Sequence, residues 1–222
     1  MPTPFDFKAF RDAVQKIIYK IIDPVVMWLS RCGVTPNMVT VAGLAGNIAA
    51  AILICMSVHS TEAEISGHCR WDLVFLGGLL IVVFSLLDMV DGRLSRLGGM
   101  STRFGAMLDT VTDRYSEVLT LGALAWLLVS VGCLWGALMA FLAVLGSMMV
   151  SYIRAYGLGL GLNCKSGFMQ RPERVVVTSV GCMAAGLAES ALVLAIVMAL
   201  MALTTNITAL TRLSYFYKHL KD

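Results

Sequence analysis

Between residues 88 and 113 the chain reads DMVDGRLSRLGGMSTRFGAMLDTVTD, which sets four carboxylates, Asp88, Asp91, Asp109 and Asp113, at the edges of long apolar runs. A carboxylate at the centre of a membrane helix costs roughly 2.5–3.5 kcal/mol on insertion scales. Four of them fit only where they face water, a metal ion or both. Asp88 and Asp91 are three apart and Asp109 and Asp113 four apart, so each pair shares one face of its helix. Two such faces brought together suit hard divalent cations, Mg²⁺ or Mn²⁺, which take carboxylate and phosphate oxygens. Gly92, Gly98, Gly99 and Gly105 are expected to build the turn between the pairs, with Arg93, Arg96 and Arg103 upon it. Glycine admits a ligand close to the backbone, and arginine grips phosphate in a planar fork. The bland alternative is a hairpin whose Asp and Arg residues merely pair with one another. It runs against the rule that ionisable groups within membranes are functional by default.

The apolar runs settle the fold class. Of 222 residues, 58% are hydrophobic and 14% charged, and the mean hydropathy is +0.81, outside the range of soluble globular domains. The expectation is an all-α polytopic membrane protein with six transmembrane helices, over about 35–58, 73–91, 104–131, 134–156, 171–187 and 191–213. Ahead of them, Phe7, Phe10, Val14, Ile17, Ile18, Ile21 and Ile22 recur at helical spacing opposite Lys8, Arg11, Lys16 and Lys20. That pattern predicts an amphipathic juxtamembrane helix lying on the membrane surface and broken or kinked at Pro24. The expected organisation is thus a juxtamembrane segment, 1–33, and a six-helix domain, 34–222. Charges interrupt the first apolar run, so it does not read as a cleaved signal peptide.

Of the 17 Lys and Arg residues, only Arg70 falls on the outer side if both termini are cytosolic. This asymmetry orients the chain. The six cysteines contain no CxxC pair and have no histidine at metal spacing, which excludes a zinc site. A net charge of +3 points to no nucleic-acid partner. The GLGLGL run that starts at Gly157 has no preceding strand, so it is read as a connector and not a dinucleotide loop. Thr35 and Pro36 read as the N-cap and first residue of the first span. Glu117 extends the stripe of Asp109 and Asp113, with a local ion pair to Arg114 as the simplest account.

The pattern Asp88-x2-Asp91-Gly92-x2-Ser95-Arg96-x8-Gly105-x3-Asp109-x3-Asp113 resembles the signature of the CDP-alcohol phosphotransferases, integral membrane enzymes of phospholipid synthesis. Every spacing agrees, and the one departure is Ser95, where that family usually has alanine. The resemblance implies two Mg²⁺ or Mn²⁺ ions held by Asp88, Asp91, Asp109 and Asp113, with Asp113 also the base. It further implies CDP-lipid contacts from Asn37, Thr40, Asp91, Gly92, Arg96 and Gly105, a homodimer, and a cytoplasmic active site in a bacterial inner membrane. Tyr152-x-Arg154-Ala155 followed by Arg171-Pro172-Glu173-Arg174 is similar to the phosphatidylinositol-phosphate synthase branch. A departure there is Tyr152, where the branch often carries lysine. By that likeness Arg154, Arg171, Arg174 and Arg212 would hold the acceptor's phosphate.

The expected reaction is transfer of a phosphatidyl group from CDP-diacylglycerol to inositol 1-phosphate with release of cytidine monophosphate. Glycerol 3-phosphate would satisfy the same arginines and is the second acceptor weighed; free inositol would leave them unmatched. A divalent-cation transporter is the non-enzymatic alternative, disfavoured because the outer halves of the spans have few polar residues. A CDP-lipid binding protein without turnover is a third class.

Overall fold

The computed structural model describes residues 23–58, 69–162, 164, 167 and 169–220. Most of the expected amphipathic helix, the polar outer loop 59–68 and Lys165 lie outside the described residues. A helical stretch at 23–31 leads into six described helices. They are α1 Pro36–Met56, α2 Trp71–Leu97, α3 Arg103–Ser130, α4 Leu134–Gly159, α5 Arg171–Ala188 and α6 Ala191–His219.

Local chemistry accounts for the helix ends. The Thr35 hydroxyl accepts a hydrogen bond from the Met38 amide at 3.4 Å, and Pro36 opens α1 as expected. Thr102 caps α3 in the same way, its Oγ1 2.9 Å from the Gly105 amide. Between α2 and α3 the chain reverses at Gly98 and Gly99, with Gly99 at φ +62°, a conformation that glycine adopts without a Cβ penalty. The turn is tighter than expected from sequence. Gly92 lies inside α2 and Gly105 inside α3, because the helices continue past the aspartates for another turn or more.

Each helix has two principal neighbours. α1 packs on α2 and α3, α2 on α5, α5 on α6, α6 on α4 and α4 on α3, which closes the six into a ring. In that order α3 and α5 stand opposite one another. Four helices, α1, α2, α4 and α6, are long and apolar enough to cross a membrane. The other two expected spans differ because charge reaches into them: Arg103, Asp109, Asp113, Arg114 and Glu117 on α3, and Arg171, Glu173 and Arg174 on α5. The chain is a helical integral membrane protein whose most polar helices face each other across the ring.

Polarity is also divided along the ring axis. The main core, with Ile54, Val74, Leu124, Leu127, Leu128, Leu194, Met198 and Met201 at 0% exposure, fills the half away from the aspartates. Small residues on α4, Ala137, Ala140, Ala143 and Gly146, let α6 approach closely. Asn206 then donates to the Leu142 carbonyl across that contact at 3.0 Å. A second cluster joins Val26 of the 23–31 stretch to Val39, Val90 and Leu94. There Arg93 clasps Asp23 through two hydrogen bonds of 2.8 Å, fastening the stretch to the end of α2.

Candidate functional site

The end of α2 and the start of α3 bring the aspartates together. Carboxylate oxygens of Asp88, Asp91 and Asp109 lie within 4.8 Å of one another. Asp113, one turn deeper on α3, faces the same space through Arg171, whose Nη2 is 2.6 Å from Asp88 Oδ2 and 2.5 Å from Asp113 Oδ1. Asp88 Oδ2 is buried against that guanidinium. Carboxylate oxygens that converge this closely suit a hard divalent cation. The donor set therefore fits Mg²⁺ or Mn²⁺ at Asp88, Asp91 and Asp109, with Asp113 at its margin.

The residues expected to touch a CDP-lipid surround this cluster in different ways. Thr40, on the first turns of α1, donates to Asp91 Oδ2 at 2.5 Å, and both residues are buried. Thr40 thus holds a carboxylate in place. Asn37 Oδ1 lies beside Gly105, 3.0 Å from where a Cβ at that position would stand, so the starts of α1 and α3 meet there. Gly92 borders open space, with only Arg96 Nη2 at 3.6 Å from its would-be Cβ. Arg96 itself is exposed and folds back on the Gly92 carbonyl at 2.9 Å. It makes no ion pair with a motif carboxylate among the described residues.

The four arginines proposed for the acceptor divide into two groups. Arg171 sits on Asp88 and Asp113, as given above. Arg174 is 2% exposed and clasps Glu117 from across the ring, Nε to Oε1 at 2.5 Å and Nη2 to Oε2 at 3.0 Å, with Nη1 3.3 Å from the Met169 carbonyl. Arg212 is buried and donates to the Val150 carbonyl at 2.7 Å, and the charges of Arg154 and Arg174 act on it. The buried Nε of Arg154 has no hydrogen-bond partner among the described residues.

A polar cavity runs inward from Asp113 between α3 and α5. Asn47, Ser85, Ser116, Thr120, Arg174 and Thr178 line it, and Ile81 and Leu121 form its apolar border. The hydroxyls were not singled out from sequence, although Ser116 and Thr120 are one turn apart on α3 and Asn47 interrupts an otherwise apolar run. Nor was the main partner of Glu117. Its expected pair with Arg114 forms at 3.1 Å, but Arg174 is the closer one.

Comparison with known proteins agrees with this geometry. The profile of the CDP-alcohol phosphatidyltransferase family matches residues 33–211. The chain is 32% identical to the phosphatidylinositol phosphate synthase of Mycobacteroides abscessus over 171 residues, 75% of this chain and 70% of that one. It is 30% identical to the Mycobacterium tuberculosis protein of the same name over 200 residues, 87% and 84% of the two chains. The crystal structure of the M. tuberculosis phosphatidylinositol phosphate synthase PgsA1 with CDP-DAG bound superposes with a TM-score of 0.76 at 29% identity, covering 88% of this chain and 92% of that one. The same enzyme in complex with manganese and citrate gives a TM-score of 0.77 at 28% identity, with 88% of each chain covered.

Proposed function

Because the chain belongs to the CDP-alcohol phosphatidyltransferase family, we propose that it transfers the phosphatidyl group of CDP-diacylglycerol to 1L-myo-inositol 1-phosphate, forming phosphatidylinositol phosphate and cytidine monophosphate. The observation that carries this reading is the convergence of Asp88, Asp91 and Asp109 within 4.8 Å, with Arg171 against Asp88 and Asp113 and the buried Arg174 lining the adjoining cavity. A relative with CDP-DAG bound and another state of it with manganese support the donor and the metal.

Mg²⁺ or Mn²⁺, as one or two ions held by Asp88, Asp91 and Asp109 with Asp113 assisting, would supply charge to the phosphoryl oxygens of the donor. Thr40 keeps Asp91 turned toward that site. The donor's diphosphate approaches along Gly92 and Gly105, with Asn37 and Arg96 at the border and the acyl chains in the bilayer. The acceptor hydroxyl attacks the β-phosphorus, a new P–O bond forms, and the bond to cytidine monophosphate breaks with its electron pair on the leaving oxygen. The hydroxyl proton passes to an Asp113 carboxylate oxygen, since an alcohol is a weak nucleophile without a positioned base. Arg171, in contact with Asp113, stands where the attacking group must enter. Arg154, Arg174 and Arg212 hold the acceptor's phosphate, for which charge-assisted bidentate bonds are the strongest available contact. The Nε of Arg154, without a hydrogen-bond partner among the described residues, supports an anion at that place.

In this reading α3 and α5 complete six membrane spans and residues 1–33 form the juxtamembrane segment. The charged end faces the cytosol of a bacterial inner membrane, and the enzyme is a homodimer. Among the described residues every Lys and Arg except Arg70 belongs to that end, which supports the orientation. The test is release of cytidine monophosphate by purified protein given CDP-diacylglycerol and Mg²⁺, with inositol 1-phosphate, inositol and glycerol 3-phosphate offered separately. Release with inositol 1-phosphate, lost in Asp113→Asn, is the expected result. Preference for glycerol 3-phosphate or inositol leaves the transfer reaction standing and removes the acceptor assignment; cation flux without turnover removes both.

A further inference from the structure

α3 and α5 stand on opposite sides of the helix ring, and each takes its close packing from other helices. Two arginine rungs span the polar space between them. Arg171 reaches Asp113 and, three residues on, Arg174 reaches Glu117, the residue four beyond Asp113. The second rung is the more enclosed, with Arg174 at 2% side-chain exposure and Glu117 at 11%. We propose that Glu117, which touches no reacting atom, is a positioning residue for acceptor recognition, clasping Arg174 so that its guanidinium meets the acceptor's phosphate in one fixed orientation. This inference rests on the inositol phosphate reading given above.

The donor count supports it. A guanidinium has five N–H groups. Glu117 takes Nε and one N–H of Nη2, and the Met169 carbonyl takes one of Nη1. Among the described residues this leaves one N–H on each terminal nitrogen to meet an oxyanion. The Glu117 clasp thus occupies the side edge of the guanidinium and leaves terminal N–H groups for the phosphate, on a residue that lines the cavity beside Asp113. Without the clasp, Arg174 could turn toward Asp113, one turn along α3, and compete with Arg171 for the base. Glu117 also holds Arg114 at 3.1 Å, which keeps a second cation from that carboxylate.

The test compares Glu117→Gln and Glu117→Asp with the unaltered enzyme, measuring kcat and KM for inositol 1-phosphate and for CDP-diacylglycerol. In Glu117→Gln the KM for inositol 1-phosphate should rise by about tenfold or more, with kcat and the donor KM within about threefold. Glu117→Asp should recover part of the loss. In an Arg174→Lys background, removal of the Glu117 charge should add little further, since a residue acting through a partner is not additive with it. Equal loss for both substrates, an unshifted acceptor KM, or additive effects in the double variant would overturn the inference. If Glu117→Gln yields no folded protein, Glu117→Asp decides by the same split. No turnover of inositol 1-phosphate by the unaltered enzyme overturns the acceptor reading and this inference together; turnover with an unshifted variant profile overturns the inference alone.

Discussion

A single hydroxyl decides how Asp91 is held. The Thr40 bond to Asp91 spans 51 positions of sequence, so it was invisible to spacing, whereas the aspartate quartet was legible because its periods are local to two helices. Groups that orient metal ligands typically carry 10–100-fold of affinity. Thr40→Val should weaken Mn²⁺ binding by about that factor, with Thr40→Ser closer to the unaltered protein, as read by titration of the free ion's electron paramagnetic resonance. The two motif glycines should part company. A Cβ at Gly92 meets open space, but one at Gly105 would lie 2.9 Å from Thr102 Oγ1 and 3.0 Å from Asn37 Oδ1. Gly92→Ala should therefore leave thermal stability equal or raised by up to about 1 kcal/mol through helix propensity, while KM for CDP-diacylglycerol rises about tenfold. Gly105→Ala should lower stability as well, by about 1 kcal/mol, because the Thr102 cap must shift.

At the scale of elements, apolar runs and caps placed all six helices, and the errors lay at the charged end. The second span was expected to stop near 91, but α2 runs to Leu97; the last was expected to stop near 213, but α6 runs to His219. Hydropathy marks where a helix leaves the apolar layer, not where its hydrogen bonds cease. The order of the ring was likewise illegible, because α3 and α5 meet through long side chains from distant stretches. The 23–31 stretch is tied to α2 by Asp23 and Arg93, and the hydrogen-bonded guanidinium holds the Asp23 carboxyl below its ordinary value of 3.8. A carboxylate lowered in the folded state contributes stability above its free value and loses it as pH falls through the folded one. Amide exchange over 23–31, corrected for its intrinsic pH dependence, should thus stay constant from pH 7 to pH 5 and rise only below about pH 4. In Asp23→Asn it should already be raised at pH 7.

For the molecule as a whole, the division of charge makes the orientation testable. Cys32 is exposed, on the aspartate side of the ring, next to the start of α1. A membrane-impermeant maleimide should label it in inside-out vesicles and spare it in right-side-out cells; the reverse pattern would place the aspartates outside. The other half of the ring holds a different consequence. Below the polar cavity stand Ile81 and Leu121, then a layer of leucines and methionines without exposed surface. A membrane at 100 mV acts on each elementary charge with about 2.3 kcal/mol, and that drop must fall across whatever part of the protein excludes water. Here it falls across the hydrocarbon plug and not across the polar chamber proposed for the chemistry. Phosphoryl chemistry can thus proceed in an energised membrane at nearly the electrical potential of the compartment it opens to, without dissipating the ion gradient on which the cell depends.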